Sequence, residues 1–266
     1  MSPITRLLDV MTRLRDRENG CPWDVEQTFA TIAPYTIEEA YEVAEAIAEE
    51  DWASLKDELG DLLFQVVFYA EMAREAELFE FDDVAAGVAD KMVRRHPHVF
   101  ADARVDSAAA QTREWEQHKA AERSAKAAAE ERPSGILDGV TRGLPALSRA
   151  AKLQSRAARV GFDWPEAAQV LDKIGEEIAE LRAELDSGAP PERLADELGD
   201  LLFACVNLAR HTQVDAETAL RGANAKFERR FRRIEALLAE RGRVPAGTTL
   251  EEMDALWDRA KAEERG

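Results

Sequence analysis

The chain has 266 residues and a formal net charge of −18, and its composition is 45% hydrophobic and 33% charged. This balance is typical of a globular protein, and the acidic excess argues against binding to nucleic acid or to an anionic membrane surface. The longest apolar stretch, LLFQVVFYA, is too short to span a bilayer. The N-terminal segment lacks the apolar centre of a signal peptide, and Cys21 and Cys205 stand far apart, so we expect a cytoplasmic protein with reduced thiols.

The sequence predicts helices along most of its length, because Ala, Glu, Leu and Arg dominate and β-branched residues are sparse. We expect one helix to begin after Thr36 as its N-cap, with Glu39 as capping-box partner, and to run to about Glu50. A second long helix follows from about Leu55 to Ala76. In the second half of the chain, the matching helix is expected to begin at Pro191 or Glu192. No segment shows the alternating pattern of a β-strand.

An internal repeat extends over most of the chain. The octamer DELGDLLF occurs at Asp57–Phe64 and again at Asp196–Phe203, and chance is an unconvincing source of such a match. The other matches keep the same order: GCPW (20–23) with GFDW (161–164), E-E-x-x-E (38–42) with the same pattern (176–180), K-x-x-R-R (91–95) with the same pattern (226–230), and WEQHKAAER (115–123) with WDRAKAEER (257–265). The sequence therefore predicts an all-α fold of two tandem helical bundles, residues 1–123 and 142–266, joined by a linker at 124–141.

Acidic residues recur on two neighbouring helices of each repeat. Residues three or four apart share a helix face, and a short connection makes the two helices antiparallel neighbours. We therefore expect two carboxylate clusters: Glu39, Glu42, Glu58 and Asp61 in the first repeat, and Glu177, Glu180, Glu197 and Asp200 in the second. Clustered carboxylates repel unless they are neutralised, and an all-oxygen set suits Mg²⁺, with Mn²⁺ as a substitute. Gly60 and Gly199 beside the acids predict a close approach of the helices.

The acids have two alternative interpretations. A single E-x-x-E pair on a helix is usually a solvated surface, and this alternative stays open for either repeat alone. Retention of the acids in both repeats, where Lys56 and Ala195 differ, favours a metal site. A di-iron centre would need Glu-x-x-His, and none of the four histidines stands at that spacing from these glutamates.

Basic and aromatic residues also recur, and they predict an anion site. Each repeat carries a basic group within one helical turn: Lys91, Arg94 and Arg95, and Lys226, Arg229 and Arg230. A phosphate chain held on Mg²⁺ is the natural partner of such groups. Trp115 with Lys119, and Trp257 with Lys261, share a helix face and suit a stacked nucleobase. Surface ion pairs, and tryptophans that only pack in the bundle, remain alternatives.

The pattern E-E-x-x-E followed by E-x-x-D, together with GCPWD, DELGDLLFQVVFYA and KMVRRHPHVF, resembles the MazG family of nucleoside triphosphate pyrophosphohydrolases, within the all-α NTP pyrophosphohydrolase superfamily. The resemblance implies a homodimeric helical bundle that holds Mg²⁺ on the acids named above. It also implies cleavage of nucleoside triphosphates to the monophosphate and pyrophosphate, in the upkeep of the nucleotide pool.

The same resemblance assigns roles to individual residues. It places Lys226, Arg230, Trp257 and Lys261 near the nucleotide. It also makes four glutamates of the motif candidates for a further ligand or a general base: Glu38, Glu39, Glu176 and Glu177. Two alternatives stay open, a related pyrophosphohydrolase preferring dUTP, dCTP or phosphoribosyl-ATP, and a helical regulator that binds nucleotide without turnover.

Overall fold

A computed structural model describes residues 1–101 and 107–264, apart from the side chains of residues 108–114, 116, 117, 123 and 126. Within these ranges the regular structure is helical and contains no strand, which confirms the all-α prediction. Contacts between Cα atoms divide the chain into two compact units, Met1–Lys119 and Ala120–Gly266. The repeat boundaries and the linker at 124–141 stay a prediction, and Arg265, the last residue of the final repeat match, lies outside the described residues.

The helices follow each other with short connections. Those of the first unit are α1 (Pro3–Leu14), α2 (Pro22–Glu26), α3 (Phe29–Ala48), α4 (Trp52–Glu75), α5 (Phe81–Arg95), α6 (Pro97–Phe100) and the first half of α7 (Ala108–Ala129). The second unit holds the rest of α7 and then α8 (Ala146–Ala158), α9 (Ala167–Ser187), α10 (Pro191–His211), α11 (Ala216–Ala239) and α12 (Leu250–Glu263). None of the helices in the described ranges is both long and apolar enough to cross a membrane.

The first unit is built on the helix pair α3 and α4, against which α1 also packs. Its core is a cluster of buried apolar side chains: Met11, Ile32, Val67, Phe68 and Met72. In the second unit, α9 and α10 form the corresponding pair, α8 packs on α10, and α11 packs on α12. A second core cluster lies between α11 and α12 and contains Ile234, Leu237, Leu238 and Leu256.

The start of α3 differs from the prediction. Thr28, not Thr36, is the N-cap, because its side-chain oxygen accepts a hydrogen bond from the backbone N–H of Thr31. The side-chain oxygen of Thr31 accepts a hydrogen bond from the backbone N–H of Thr28, which completes a capping box. Pro34 lies inside the helix. Because a proline usually marks a helix boundary, the sequence pattern placed the start of α3 after Pro34 rather than at Phe29. Thr36 instead points to α4, where its Oγ1 lies 2.9 Å from the Tyr69 hydroxyl oxygen.

Tight connections make both central helix pairs antiparallel. Asp51 caps α4 by accepting hydrogen bonds from the backbone N–H groups of Ala53 and Ser54, each at 3.1 Å. In the second unit α9 ends at Gly188, which has a φ of 67° that favours glycine. Pro191 then occupies the first position of α10, as predicted. The four acids of each repeat therefore lie on two neighbouring antiparallel helices.

The apolar stripe on α4 is only partly buried within its unit. The sequence predicts an apolar stripe on α4 along which this helix packs against α3, formed by Leu59, Leu62, Leu63, Val66 and Val67. Val67 is fully buried, whereas Leu59 is 50% exposed and Leu63 is 40% exposed. The face that points away from the unit's own core is therefore uncovered, and the expected packing is wrong for that half of the stripe.

A buried arginine, Arg15, connects the end of α1 to α2 and α4 through hydrogen bonds. Arg15 donates hydrogen bonds to both carboxylate oxygens of Glu75 at 2.7 and 2.8 Å and to the backbone carbonyl of Asp24. Its guanidinium carbon also lies 5.3 Å from the centre of the Phe68 ring. The Arg15 side chain is only 7% exposed, so these contacts are shielded from water.

We expect Arg15→Met to lower the free energy of unfolding of the first unit by about 2–3 kcal/mol, since Glu75 loses its partner in a half-buried position. Urea denaturation followed by circular dichroism measures the change. Arg13→Met is the matched control, because Arg13 is 79% exposed and pairs with Asp9, a residue of its own helix. That control should change stability by less than about 0.5 kcal/mol. Equal effects of the two substitutions would contradict the assigned role of Arg15.

Candidate functional site

The structure brings acids of the motif together in the first unit. Glu39 on α3 and Glu58 and Asp61 on α4 each offer a carboxylate oxygen, and these oxygens lie within 4.8 Å of one another. Ligands of one Mg²⁺ stand about 2.1 Å from the ion and therefore at most about 4.2 Å apart. Small side-chain rotations are enough to close three such oxygens on a single cation. Glu42, the fourth acid, lies close enough to Glu39 and Glu58 for its negative charge to contribute to a raised pKa of both carboxyl groups.

The electrostatics of this cluster are those of carboxylates without a counter-charge. Burial, followed by the charges of Asp61 and Glu42, raises the pKa of Glu39. Burial, followed by the charges of Glu42 and Asp61, also raises the pKa of Glu58. Both shifts show that the ionised cluster is unfavourable by itself, as expected of a cation site.

A corresponding cluster lies between α9 and α10 in the second unit. It contains Glu177, Glu180 and Glu197, whose carboxylate oxygens also lie within 4.8 Å of one another. Asp200 is exposed and is not part of this group, although its counterpart Asp61 belongs to the first. Glu177 is 5% exposed, and burial, followed by the charge of Glu177, raises the pKa of Glu180.

Lys173 distinguishes the second cluster from the first. Its ammonium lies 2.8 Å from carboxylate oxygens of both Glu176 and Glu177, one turn further along α9. These hydrogen bonds raise the pKa of Lys173. The aligned residue of the first unit is Tyr35, whose ring packs edge-on against Trp23 at 6.1 Å between centroids. The second cluster therefore has an internal counter-charge at a position where the first has an uncharged side chain.

The glycines beside the acids do not mark a close approach of helices. A Cβ atom added to Gly60 or to Gly199 would meet no atom within 4 Å. The prediction of tight helix contact at these positions is therefore wrong. Both glycines lie instead on an open face of their helix, and in sequence each stands directly before the aspartate of the E-x-x-D motif.

The basic and aromatic residues of the first unit form a cluster on α5 and α7. The Trp115 ring lies 5.2 Å from both the Arg95 guanidinium carbon and the Lys119 ammonium. His96 contacts the same ring edge-on, with 5.2 Å between centroids. Lys91 and Arg94 lie on the same helix as Arg95. The predicted sharing of a face by Trp115 and Lys119 is confirmed.

In the second unit the basic residues make ion pairs with the last helix. Arg229 and Arg230 on α11 contact the carboxylate of Glu264, at 3.0 and 2.8 Å. Arg230 also lies over the Trp257 ring, 5.5 Å from its centre. The hydrogen bond from Arg230 is the largest cause that lowers the pKa of Glu264. The candidate phosphate ligands therefore already hold an anion, a carboxylate of their own chain.

Two further residues of this group have separate surroundings. Lys261 pairs with Asp258 on its own helix at 3.1 Å, and Lys226 is exposed on α11. In the described part of the chain, neither Lys226 nor Lys261 forms a hydrogen bond or ion pair with the carboxylate cluster of the unit. A role for them at the phosphates therefore remains a prediction.

The residue that the sequence did not predict at the site is Lys173. When the two E-E-x-x-E motifs are aligned, Lys173 corresponds to Tyr35. Lys173 stands three residues before Glu176 and four before Glu177 in the chain. This is the spacing of a helical ion pair, so the signal was present in the sequence. It was concealed because acidic residues are so numerous in this chain that a nearby lysine has no distinctive pattern.

Comparison with known proteins decides the family. The model of the MazG nucleotide pyrophosphohydrolase domain matches residues 27–100 and again residues 166–234. The chain belongs to the MazG family. The two matches cover both carboxylate clusters and the basic group of each repeat, and they confirm the MazG resemblance and the presence of two repeats.

The MazG relatives extend over the whole chain. A nucleoside triphosphate pyrophosphohydrolase of Escherichia coli K12 is 54% identical over 265 residues, which cover 99% of both chains. A protein named nucleoside triphosphate pyrophosphohydrolase/pyrophosphatase MazG from Thermotoga maritima is 42% identical over 96% of this chain and 94% of its own. YabN of Bacillus subtilis, named as uncharacterized, is 45% identical over 93% of this chain and 49% of its own length.

Proposed function

We propose that the protein hydrolyses nucleoside triphosphates to the nucleoside monophosphate and pyrophosphate, with Mg²⁺ as cofactor and Mn²⁺ as a substitute. The observation that carries the proposal is the pair of carboxylate clusters, each with three oxygens spaced for one cation, in a chain that belongs to the MazG family. The full-length likeness to relatives named for this reaction supports the same activity. Its physiological setting would be the cytoplasmic nucleotide pool.

The chain offers a set of oxygen ligands for a hard cation in each unit. In the first unit the ligands would be Glu39, Glu58 and Asp61, with Glu42 beside them; in the second they would be Glu177, Glu180 and Glu197, with Asp200 completing the motif. A bound divalent ion would neutralise the triphosphate and acidify a coordinated water. Burial and the neighbouring carboxylates raise the pKa of Glu39 and Glu58 in the first unit and of Glu180 in the second, and a bound cation would offset this cost.

The remaining acids of the motif supply a candidate base. Glu38 and Glu176 lie outside the two groups of close oxygens but directly precede Glu39 and Glu177 in the chain. In this position they would orient a water molecule and accept its proton as it attacks the α-phosphorus in line. Glu176 pairs with Lys173, so this pair would have to separate for Glu176 to act as the base.

The basic residues would stabilise the leaving pyrophosphate. Lys226, Arg229 and Arg230 in the second unit, and Lys91, Arg94 and Arg95 in the first, supply donors for phosphate oxygens. In the second unit a phosphate would have to replace Glu264, which is an exchange of one anion for another. Trp115 and Trp257, with Lys119 and Lys261 on the same helix faces, would border the nucleotide.

A substrate panel tests the function and its alternatives together. Each common NTP and dNTP is incubated with the protein, with and without Mg²⁺, and the products are separated by ion-exchange chromatography. Monophosphate and pyrophosphate formed only with metal are the expected products, and the rates rank the bases, including dUTP and dCTP. Nucleotide binding without any turnover would favour the regulator and overturn the enzyme proposal.

The exposed apolar faces favour a dimer of this chain. Leu59 and Leu63 on α4, and their counterparts Leu198 and Leu202 on α10, are each 40–50% exposed within their units. The same positions are apolar and uncovered in both repeats, which is typical of an interface rather than of scattered surface residues. We infer that a second copy of the chain covers them.

A charge placed on this face should separate the copies. We expect Leu202→Glu to convert a wild-type dimer to a monomer in sedimentation-velocity experiments, because a carboxylate in an apolar interface is costly to desolvate. Leu220→Glu is the matched control, since Leu220 is similarly exposed, at 51%, but lies on α11 rather than on α10. A monomeric wild-type protein, or a Leu202→Glu variant that remains dimeric, would contradict the assignment.

A further inference from the structure

The end of α12 lies against a group of arginines on α11, in the second unit. A pocket of ≈ 420 Å³ opens between the two helices at this point. Pockets that hold small ligands commonly have volumes of about 300–1,000 Å³, so this one is large enough for a short phosphate chain. Its walls carry more arginines than acids, in a chain whose formal net charge is −18. The charged wall residues are Arg229, Arg230, Arg232, Arg233, Glu263 and Glu264.

The two glutamates of this pocket occupy donors of the arginines. Glu264 accepts a hydrogen bond from Arg229 Nε at 3.0 Å and another from Arg230 Nε at 2.8 Å. Glu263 accepts two hydrogen bonds from the Arg233 guanidinium, at 2.6 and 3.2 Å. The hydrogen bond from Arg233 is the largest cause that lowers the pKa of Glu263 to about 2. Both carboxylates therefore stay ionised at neutral pH and neutralise part of the basic group.

Packing of α12 on α11 does not account for these two acids. Glu263 is the last residue of α12 and Glu264 is its C-cap, where the helix dipole disfavours acidic side chains. Apolar contacts already hold the two helices together, through a core cluster that contains Leu237 and Leu256. Ion pairs near the surface add little to stability, and the Glu264 side chain is 27% exposed. The function of the acids is therefore better sought at the arginines that they contact.

The comparison of the two repeats shows which part of this arrangement is specific to the second. The alignment of WEQHKAAER with WDRAKAEER places Ala121 at the position of Glu263. The alignment of the two basic groups, continued by three residues, places His98 at the position of Arg233. Alanine has no side-chain acceptor, so the ion pair between Glu263 and Arg233 has no counterpart at the aligned positions. The additional carboxylate therefore belongs to the second repeat only.

We propose that Glu263 and Glu264 form an autoinhibitory contact, in which the end of α12 competes with the phosphates of the substrate for Arg229 and Arg230. The identity of the competing ligand rests on the proposed function. The net positive charge that remains in the pocket attracts an incoming phosphate chain. The phosphates bind fully only when the carboxylates have moved away, so the apparent affinity is reduced by the fraction of molecules in which the contact is open. The contact therefore raises the substrate concentration that the second unit needs.

Isothermal titration with inorganic tripolyphosphate in the presence of EDTA tests the contact without requiring turnover. The test variant is Glu263→Gln/Glu264→Gln, because glutamine keeps the size of the side chain and removes its charge. Glu251→Gln/Asp254→Asn is the matched control, since it removes two charges from exposed positions near the start of the same helix. All proteins in the titration carry Arg95→Gln, which weakens the basic group of the first repeat.

We expect the test variant to bind tripolyphosphate at least fivefold more tightly than its parent, and the control to stay within twofold of it. In a Glu58→Ala background, the test variant should also raise kcat/KM for the nucleoside triphosphate at least fivefold. Circular dichroism shows whether each variant is folded. If the double variant is not, Glu264→Gln alone is measured against the same thresholds.

A smaller gain in affinity would overturn the autoinhibitory contact, and so would a control that gains as much as the test variant. Weaker binding would also overturn it, because it would show that the two acids hold the arginines in place for the phosphates. A protein that binds tripolyphosphate but hydrolyses no nucleotide would contradict the proposed function instead, and the titration would still decide the contact. Absence of tripolyphosphate binding in parent and variant alike would overturn the contact.

Discussion

Glu197→Ala, combined with Glu58→Ala, is expected to eliminate pyrophosphate release almost completely, with a fall in kcat/KM of at least ~100-fold. Each substitution removes one of the three close carboxylate oxygens of its unit and lowers the affinity of that unit for the cation. Charge stabilisation by a metal contributes several kcal/mol to such a transition state, and about 1.4 kcal/mol corresponds to a tenfold change in rate. Pyrophosphate release at saturating Mg²⁺ is the measurement.

The single variants separate the contributions of the two repeats. Glu58 and Glu197 are aligned in the repeat, and each belongs to the carboxylate cluster of its own unit. Glu197→Ala alone therefore leaves the activity of the first unit to be measured, and Glu58→Ala alone leaves that of the second. Helical circular dichroism should remain unchanged in all three variants, because both side chains lie at partly exposed positions of long helices. If the double variant retains the full rate, the metal assignment is wrong.

Lys173→Met should tighten binding of Mn²⁺ to the second cluster by about tenfold, the equivalent of about 1.4 kcal/mol. The Lys173 ammonium lies 2.8 Å from carboxylate oxygens of Glu176 and Glu177, so a cation that binds at Glu177 has to compete with it. Isothermal titration with Mn²⁺ in the absence of nucleotide measures the affinity directly. A Glu58→Ala background removes the contribution of the first cluster.

Two controls define this effect. Lys152→Met removes the same charge from an exposed position on α8 and should leave Mn²⁺ affinity within twofold of the parent. Tyr35→Lys, made in a Glu197→Ala background, introduces a lysine at the aligned position of the first unit and should weaken Mn²⁺ binding there. If Lys173→Met weakens Mn²⁺ binding instead, Lys173 supports the metal site rather than competing with it.

Helix content and the pairing of the two acidic helices were predictable because they depend on local patterns. The E-E-x-x-E and E-x-x-D spacings place acids on facing helices, and the connection at 49–51 leaves the helices only an antiparallel arrangement. Three close oxygens per unit follow from that geometry. The start of α3 was less predictable, because Pro34 resembles a helix boundary although the Thr28 capping box precedes it.

Properties that depend on side-chain environment were not predictable in the same way. The open surroundings of Gly60 and Gly199 and the exposure of Leu59 depend on which face of α4 or α10 meets another helix, and the repeat pattern does not contain this information. The pairing of Arg230 with Glu264 depends on how α12 lies against α11. Both predicted phosphate-binding groups therefore need direct tests. Spacing placed the acids of each repeat on neighbouring helices, but it did not show that Glu42 and Asp200 lie outside the groups of three close oxygens.

The most direct test of the proposed chemistry is hydrolysis of ATP in H₂¹⁸O with Mg²⁺, followed by mass spectrometry of both products. Attack of water on the α-phosphorus predicts one ¹⁸O atom in AMP and none in pyrophosphate, and no reaction when the metal is chelated. Label in pyrophosphate would move the attack to the β-phosphorus. ADP and labelled phosphate as the products would contradict the assignment of the protein as a nucleoside triphosphate pyrophosphohydrolase.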